Sequence, residues 1–209
     1  MSNFVVTISR EHGSRGREIG RLLAERLGVE YYDKDILKLA SESSGINEEL
    51  FAKYEQKNPL LFGIAKKIYT GEVIPPGRTG FLSGDNLFNY QAKVVKELAE
   101  KESYVMIGQC GGFVLDDMTP KLKLLKVYVT ARKEDRIKSI QERFDLPLRD
   151  IERLIEKTDK QRAGYFQYHT GEKWHDIRQY DLCISTSKIT VDQAVELLAD
   201  YVGILTKEK

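Results

Sequence analysis

A chain of 209 residues with 41% apolar content and a net charge of +1 suits one domain with a full core, and excludes broad electrostatic attachment to nucleic acid or anionic membrane. It holds no apolar run of about eighteen residues and no charged-then-apolar leader, so neither a membrane span nor a secretory signal is expected. Cys110 and Cys183 are too few for a disulfide framework or a zinc site and fit a reducing, cytoplasmic setting.

Strands and helices alternate along the chain, the pattern of a parallel sheet covered by helices. Phe4 to Ile8 is an apolar run suited to a strand buried on both faces. A Gly-Ser-Arg-Gly-Arg turn, Gly13 to Arg17, then leads into an amphipathic helix with Ile19, Leu22, Leu23 and Leu27 at helical spacing and Gly28 as its C-cap. Val29 to Tyr32 is a short second strand ending at Asp33. Helical patterns continue to about residue 70, broken near Gly45 and at Asn58-Pro59. Residues 71 to 86, rich in glycine and containing Pro75-Pro76, are expected to form a mobile loop, with a functional lid and an idle connection equally compatible with that composition. Tyr104 to Ile107 is the third strand and closes on Gly108; Leu124 to Val129 is the fourth, and Leu182 to Ser185 the fifth, before a final helix from Val191 to Leu205. Right-handed crossovers would put every strand's C-terminal end on one edge.

The turn after the first strand is the place for a phosphate. A helix N-terminus leaves backbone N–H groups unpaired and carries partial positive charge, and Arg15 and Arg17 add full charges. Set against a Walker A loop, GxxxxGK[ST], Gly16 takes the second glycine, but Glu11 stands for the first, Arg17 for the lysine and Glu18 for the hydroxyl. An ordinary strand-to-helix turn with solvated arginines fits the same letters. A carboxylate at Glu18 would be repelled by triphosphate unless magnesium lay between them.

As an ordered set, SREHGSRGREIG, YYDKDIL, YVMIGQCGGFVL, VYVTARKEDRI and DKQRAGYFQYHTGEKWHDIRQYDLCIST resemble the cytidylate kinase-like family, a divergent branch of the P-loop nucleoside monophosphate kinases. The resemblance spans nearly the whole chain. It implies an α/β three-layer P-loop kinase fold with a parallel five-stranded sheet in a single domain, a mobile acceptor-binding helical insert near residues 45 to 95 and a helical lid near 147 to 175. It further implies ATP with magnesium (Mg2+) as the donor and CMP or a similar nucleotide as the small-molecule acceptor, with magnesium arriving on the nucleotide rather than in a protein metal site. A nucleotide-binding regulator without transfer activity, and a kinase for a non-nucleotide metabolite, remain open beside it.

Phosphoryl transfer requires positioned phosphates and convergent positive charge. The resemblance therefore assigns Gly13, Ser14, Arg15, Gly16, Arg17 and Glu18 to the donor phosphates, and Arg17, Arg162, Arg132 and Arg136 to the transferring group. Asp33, Gln109 and Asp159 fall to the acceptor. Two of these positions depart from the family pattern: Gln109-Cys110 stands where relatives carry Arg-Asp after the strand-end glycine, and the first lid arginine falls on Ile155, leaving Arg153, Lys157 or Lys160 to replace it. Each assignment has a plainer counterpart. Asp33 could N-cap the following helix, the DKQR segment could be a solvated charged face, and Tyr165, Phe166, Tyr168, Trp174 and Tyr180 could be packing rather than a stacking surface for a base. His12 lies in the phosphate turn, and His12, His169 and His175 lack metal-ligand spacing.

Overall fold

Alternation along the first strand sorts the core into two layers, because successive side chains of a strand point to opposite faces. The computed structural model describes residues 3–56, 69, 71–108, 110–119 and 121–207. Its strands are β1 (Phe4–Arg10), β2 (Glu30–Tyr32), β3 (Tyr104–Ile107), β4 (Lys123–Thr130) and β5 (Leu182–Ser185). All neighbours are parallel, in the order β2-β3-β1-β4-β5. Val6 and Ile8 join Val105, Ile107, Val127 and Val129 beneath α1 (Gly16–Leu27) and α8 (Val191–Thr206). Val5, Tyr104, Met106 and Tyr128 face α2 (Asp35–Ser44), α3 (Glu48–Glu55), α4 (Gly84–Lys101) and the end of α7 (Leu148–Thr170). Two further helices, α5 (Gly111–Val114) and α6 (Lys133–Gln141), complete the layers around the sheet. This is the three-layer α/β architecture expected from the sequence.

The strands β3 and β5 begin and end where the apolar runs do. By contrast, β1 and β4 run further, since Ser9 and Arg10 still pair in register with Tyr128 and Val129. Gly28 caps α1 in the left-handed conformation, as expected. The upper boundary of the proposed insert falls inside α4, which carries Leu87, Phe88, Val94 and Val95 into the core and runs on to the start of β3. Residues 71–83 lack a regular element, yet they are tethered: the buried Asn86 side chain accepts from Ile74 N at 2.6 Å and donates to the carbonyls of Ile74 and Phe81 at 3.0 and 2.8 Å.

Two of the late aromatics, Tyr165 and Tyr168, pack around the buried His169. His169 stacks on Phe88 with ring centroids 3.9 Å apart, its Nε2 lies 3.3 Å from Tyr54 Oη, and the edges of Tyr165 and Tyr168 close around it. This cluster joins α3, α4 and the C-terminal part of α7. The earlier part of α7 rests instead on a small satellite of Ile140, Ile151 and Ile155.

Burial pushes the His169 pKa down to about 3, with Asp85 acting in the opposite direction. The unfolded chain therefore takes up a proton near the ordinary histidine pKa that the folded chain refuses, and stability falls as pH drops through that window. A loss of about 2 kcal/mol between pH 6.5 and pH 5 is expected from this one group. Urea midpoints at the two pH values check it, and His169→Phe should flatten the profile.

Candidate active site

The C-terminal ends of β1, β3 and β4 form one edge, and the turn of residues 11–15 stands on it. Glu11 prolongs β1 by donating its N–H to Val129 O at 3.0 Å. Its carboxylate accepts from Thr130 Oγ1 at 2.5 Å and from Ala131 N at 3.3 Å. The position of the missing Walker glycine is thus a latch between the turn and β4. Gly13 has φ +82°, and a Cβ there would lie 2.7 Å from the Arg136 carbonyl oxygen, so backbone conformation and space both require glycine. Ser14 is fully buried and returns its hydroxyl to Glu11 O at 2.8 Å. Arg15 takes the left-handed conformation with φ 61° and starts α1.

These bends leave the N–H groups of Gly13, Arg15, Gly16 and Arg17 without an acceptor among the described residues. Four donors at a helix N-terminus suit a chain of phosphates. Around them lies a pocket of about 90 Å³ lined in part by Arg10, His12, Arg15, Arg17, Arg143 and Arg162. Burial and the Arg162 charge lower the His12 pKa to about 4, so its ring is neutral at pH 7.

The predicted cations divide into two sets. Arg136 is 7% exposed and faces inward, donating Nε to His12 O at 2.7 Å and pairing with Asp159 and, at 3.4 Å, with Glu11. Asp159 completes this brace by accepting His12 N–H at 2.8 Å. The pair assigned to transition state and acceptor therefore holds the phosphate turn against α7. Arg132 is exposed at the start of α6 and lines none of the clefts described here. Arg162, in contrast, lies at the edge itself, donating Nη1 to Arg10 O at 2.8 Å. Desolvation and the neighbouring Arg10 charge bring its pKa down to about 9.

Three charged residues of the turn have intramolecular partners. Arg17 Nε lies 2.6 Å from Asp33 Oδ2, which shows why Asp33 does not cap α2: its carboxylate is engaged across the crevice, and Lys34 occupies the cap position without a side-chain bond. Arg15 pairs with Glu142 and, at 3.6 Å, with Glu18. Glu18 also meets Arg143 at 3.1 Å, so two guanidiniums offset the carboxylate that the sequence sets beside the phosphate position. Among the described residues no cluster of three or more His, Cys, Asp or Glu could hold a metal ion.

Beside the turn opens a cleft of about 380 Å³ between α2, α3 and α7, lined among others by Arg10, Lys34, Glu48, Gln161, Arg162 and Tyr165. Gln109, assigned to the acceptor, lies outside the described residues. Ile155, at the missing lid arginine's position, is buried in the satellite core, and neither Arg153, Lys157 nor Lys160 lines this cleft.

Sequence reasoning missed Arg10. It extends β1 beyond the apolar run, and its guanidinium covers Gly108, where a Cβ would lie 2.5 Å from Nη1. A basic residue ending a buried strand at the crevice edge was the available signal.

The sequence model of the cytidylate kinase-like family matches residues 5–188. A cytidylate kinase from Methanopyrus kandleri is 24% identical over 200 residues, covering 93% of this chain and 90% of that protein. Among solved structures, an uncharacterized protein from Eubacterium ventriosum superposes with a TM-score of 0.70 at 23% identity, covering 96% of this chain and 99% of that one. Shikimate kinase from Bacteroides thetaiotaomicron gives a TM-score of 0.51 at 13% identity, covering 96% and 98%. At these identities the structural likeness is one of fold.

Proposed function

The chain belongs to the cytidylate kinase-like family of P-loop kinases, and on that premise we propose that it transfers the γ-phosphoryl group of ATP to a nucleoside monophosphate, CMP or a similar small acceptor. The observation that carries this reading is the meeting of two hollows at a pair of arginines, Arg10 and Arg162. Arg162 lines both the pocket over the phosphate turn and the cleft between α2, α3 and α7. In-line transfer needs a donor and an acceptor facing each other across a concentrated positive charge, with little covalent help from the protein.

In this reading the N–H groups of Gly13, Arg15, Gly16 and Arg17 hold the donor phosphates, and Arg15 and Arg17 turn from their carboxylates toward them. Arg17 takes the place of the usual lysine. Magnesium, bound on the nucleotide, supplies further neutralisation of the phosphates. Glu11, Arg136 and Asp159 keep the turn in shape, and Asp33, freed as Arg17 swings inward, faces the acceptor. The helix α7 acts as the lid.

An ADP-release assay over nucleoside monophosphates, with and without magnesium, tests the proposal. Magnesium-dependent release with CMP or a related nucleotide is expected. Shikimate belongs in the same panel because the fold is shared with a shikimate kinase, and release with it alone would move the acceptor outside nucleotides. A second reading, nucleotide binding without transfer, draws on the carboxylates that already hold Arg15 and Arg17. Heat on titration with ATP and magnesium, without ADP release for any acceptor, would favour it.

A further inference from the structure

The end of α6 lies against the start of α1 through a closed run of opposite charges. Arg15 pairs with Glu142 and, at 3.6 Å, with Glu18, and Glu18 meets Arg143 at 3.1 Å. Glu142 and Arg143 are adjacent in the chain, so the four charges alternate around a ring. Arg15 and Arg143 line the pocket over the phosphate turn and also an open hollow of about 540 Å³ in front of α1, which Glu18 and Glu142 border as well.

Glu142 is poorly placed by the standards of its own helix. It is the C-cap of α6, with its N–H donated to Lys138 O at 3.0 Å, and the carbonyls at such an end already carry partial negative charge. The start of α1 is the reverse, since Arg15 and the open N–H groups of the turn attract an anion. Glu142 therefore gives Arg15 the negative partner that a phosphate would otherwise be. It reaches the side chain alone: among the described residues it accepts from Arg15 and from no N–H of the turn, so the backbone donors stay open.

We propose that Glu142 is an internal competitor of the donor nucleotide: its carboxylate occupies Arg15 in the free protein, and the donor phosphates must displace it. This rests on the reading that the turn holds donor phosphates, and adds a restraint built into that site. An interaction present only in the free state subtracts from binding. A triphosphate still wins, because it brings more charge than one carboxylate and also meets the N–H groups that Glu142 leaves open. Glu18 keeps Arg143 throughout, so the exchange at Arg15 is local and the end of α6 remains tied to α1.

The test is calorimetric titration with ATP and magnesium, with ADP release measured on the same proteins. The Arg15 and Glu142 side chains are 32% and 45% exposed, so their pair is of the weak, solvated kind. Glu142→Gln should accordingly bind ATP about three- to fivefold more tightly than wild type, with Glu142→Asp between the two. The gain should shrink as salt rises from about 50 to 300 mM, because screening weakens the pair that the substitution removes. Glu134→Gln makes the same charge change at the start of α6 and should bind as wild type. Glu142→Ala replaces Glu142→Gln if the latter melts early. Unchanged or weaker ATP binding by the folded variant, an equal gain in Glu134→Gln, or no ATP binding by either wild type or variant would each overturn the proposal. Tighter binding without ADP release for any acceptor would leave it standing and remove the phosphoryl-transfer reading instead.

Discussion

Arg162→Ala is expected to lower kcat/KM for phosphoryl transfer by about a hundredfold or more, the usual cost of removing one preorganised charge from a transition state. The side chain is held in advance of substrate: its Nη1 is fixed on the Arg10 carbonyl, and its stem lies on α7 between the turn pocket and the larger cleft. Such fixation means that little reorganisation accompanies charge development. The stability cost should be small, about 1 kcal/mol, because only one hydrogen bond to a backbone carbonyl is lost. Arg162→Lys keeps a charge but not the planar fork, so a partial recovery is expected. Steady-state ADP release alongside thermal melting separates the two effects. Unchanged turnover in a folded Arg162→Ala protein would remove this residue from the chemistry.

Asp159→Ala should act on stability first. The Arg136 guanidinium is buried, and Asp159 and Glu11 are its carboxylate partners. Removing Asp159 leaves that charge with Glu11 at 3.4 Å and orphans the His12 N–H, which now donates to Asp159 at 2.8 Å. Breaking a buried pair on one side costs about 3 kcal/mol or more, or roughly 10 °C in melting temperature for a domain of this size. ATP affinity should fall with it, because the turn loses its hold on α7. Asp159→Asn retains an acceptor for His12 N–H and should recover part of both. A normal melting temperature with a raised acceptor KM would instead return Asp159 to the acceptor site.

The sheet was legible in the sequence because a central strand buried on both faces must be apolar, and the runs of β1 and β3 announce themselves in that way. The Gly28 stop was equally plain, since a helix C-cap favours a residue without a Cβ. Side-chain partners were not legible. Arg136 and Arg162 look alike as letters in basic, helical surroundings, yet one faces a carboxylate brace and the other an open edge. Spacing along the chain gives no sign of this, because Arg136 meets a carbonyl 124 positions away. Asp33 was placed rightly at its strand end, but its Arg17 partner crosses from α1 and depends on how α1 packs against the sheet. Arg10 was hidden by counting the strand only as far as its apolar letters.

Both walls of the larger cleft stand on one foundation. Ala52 and Gln56 come from α3 and its end, Thr158 and Gln161 from α7, and the two helices are joined below by Tyr54, Tyr165 and His169. The gap between the walls is accordingly a gauge cut by ring stacking deep in the interior. Changing the bulk of the Tyr54 or His169 ring, neither of which lines the cleft, would widen or narrow the berth without altering a single group that greets the guest, so selectivity for size and selectivity for charge are separately adjustable in this scaffold.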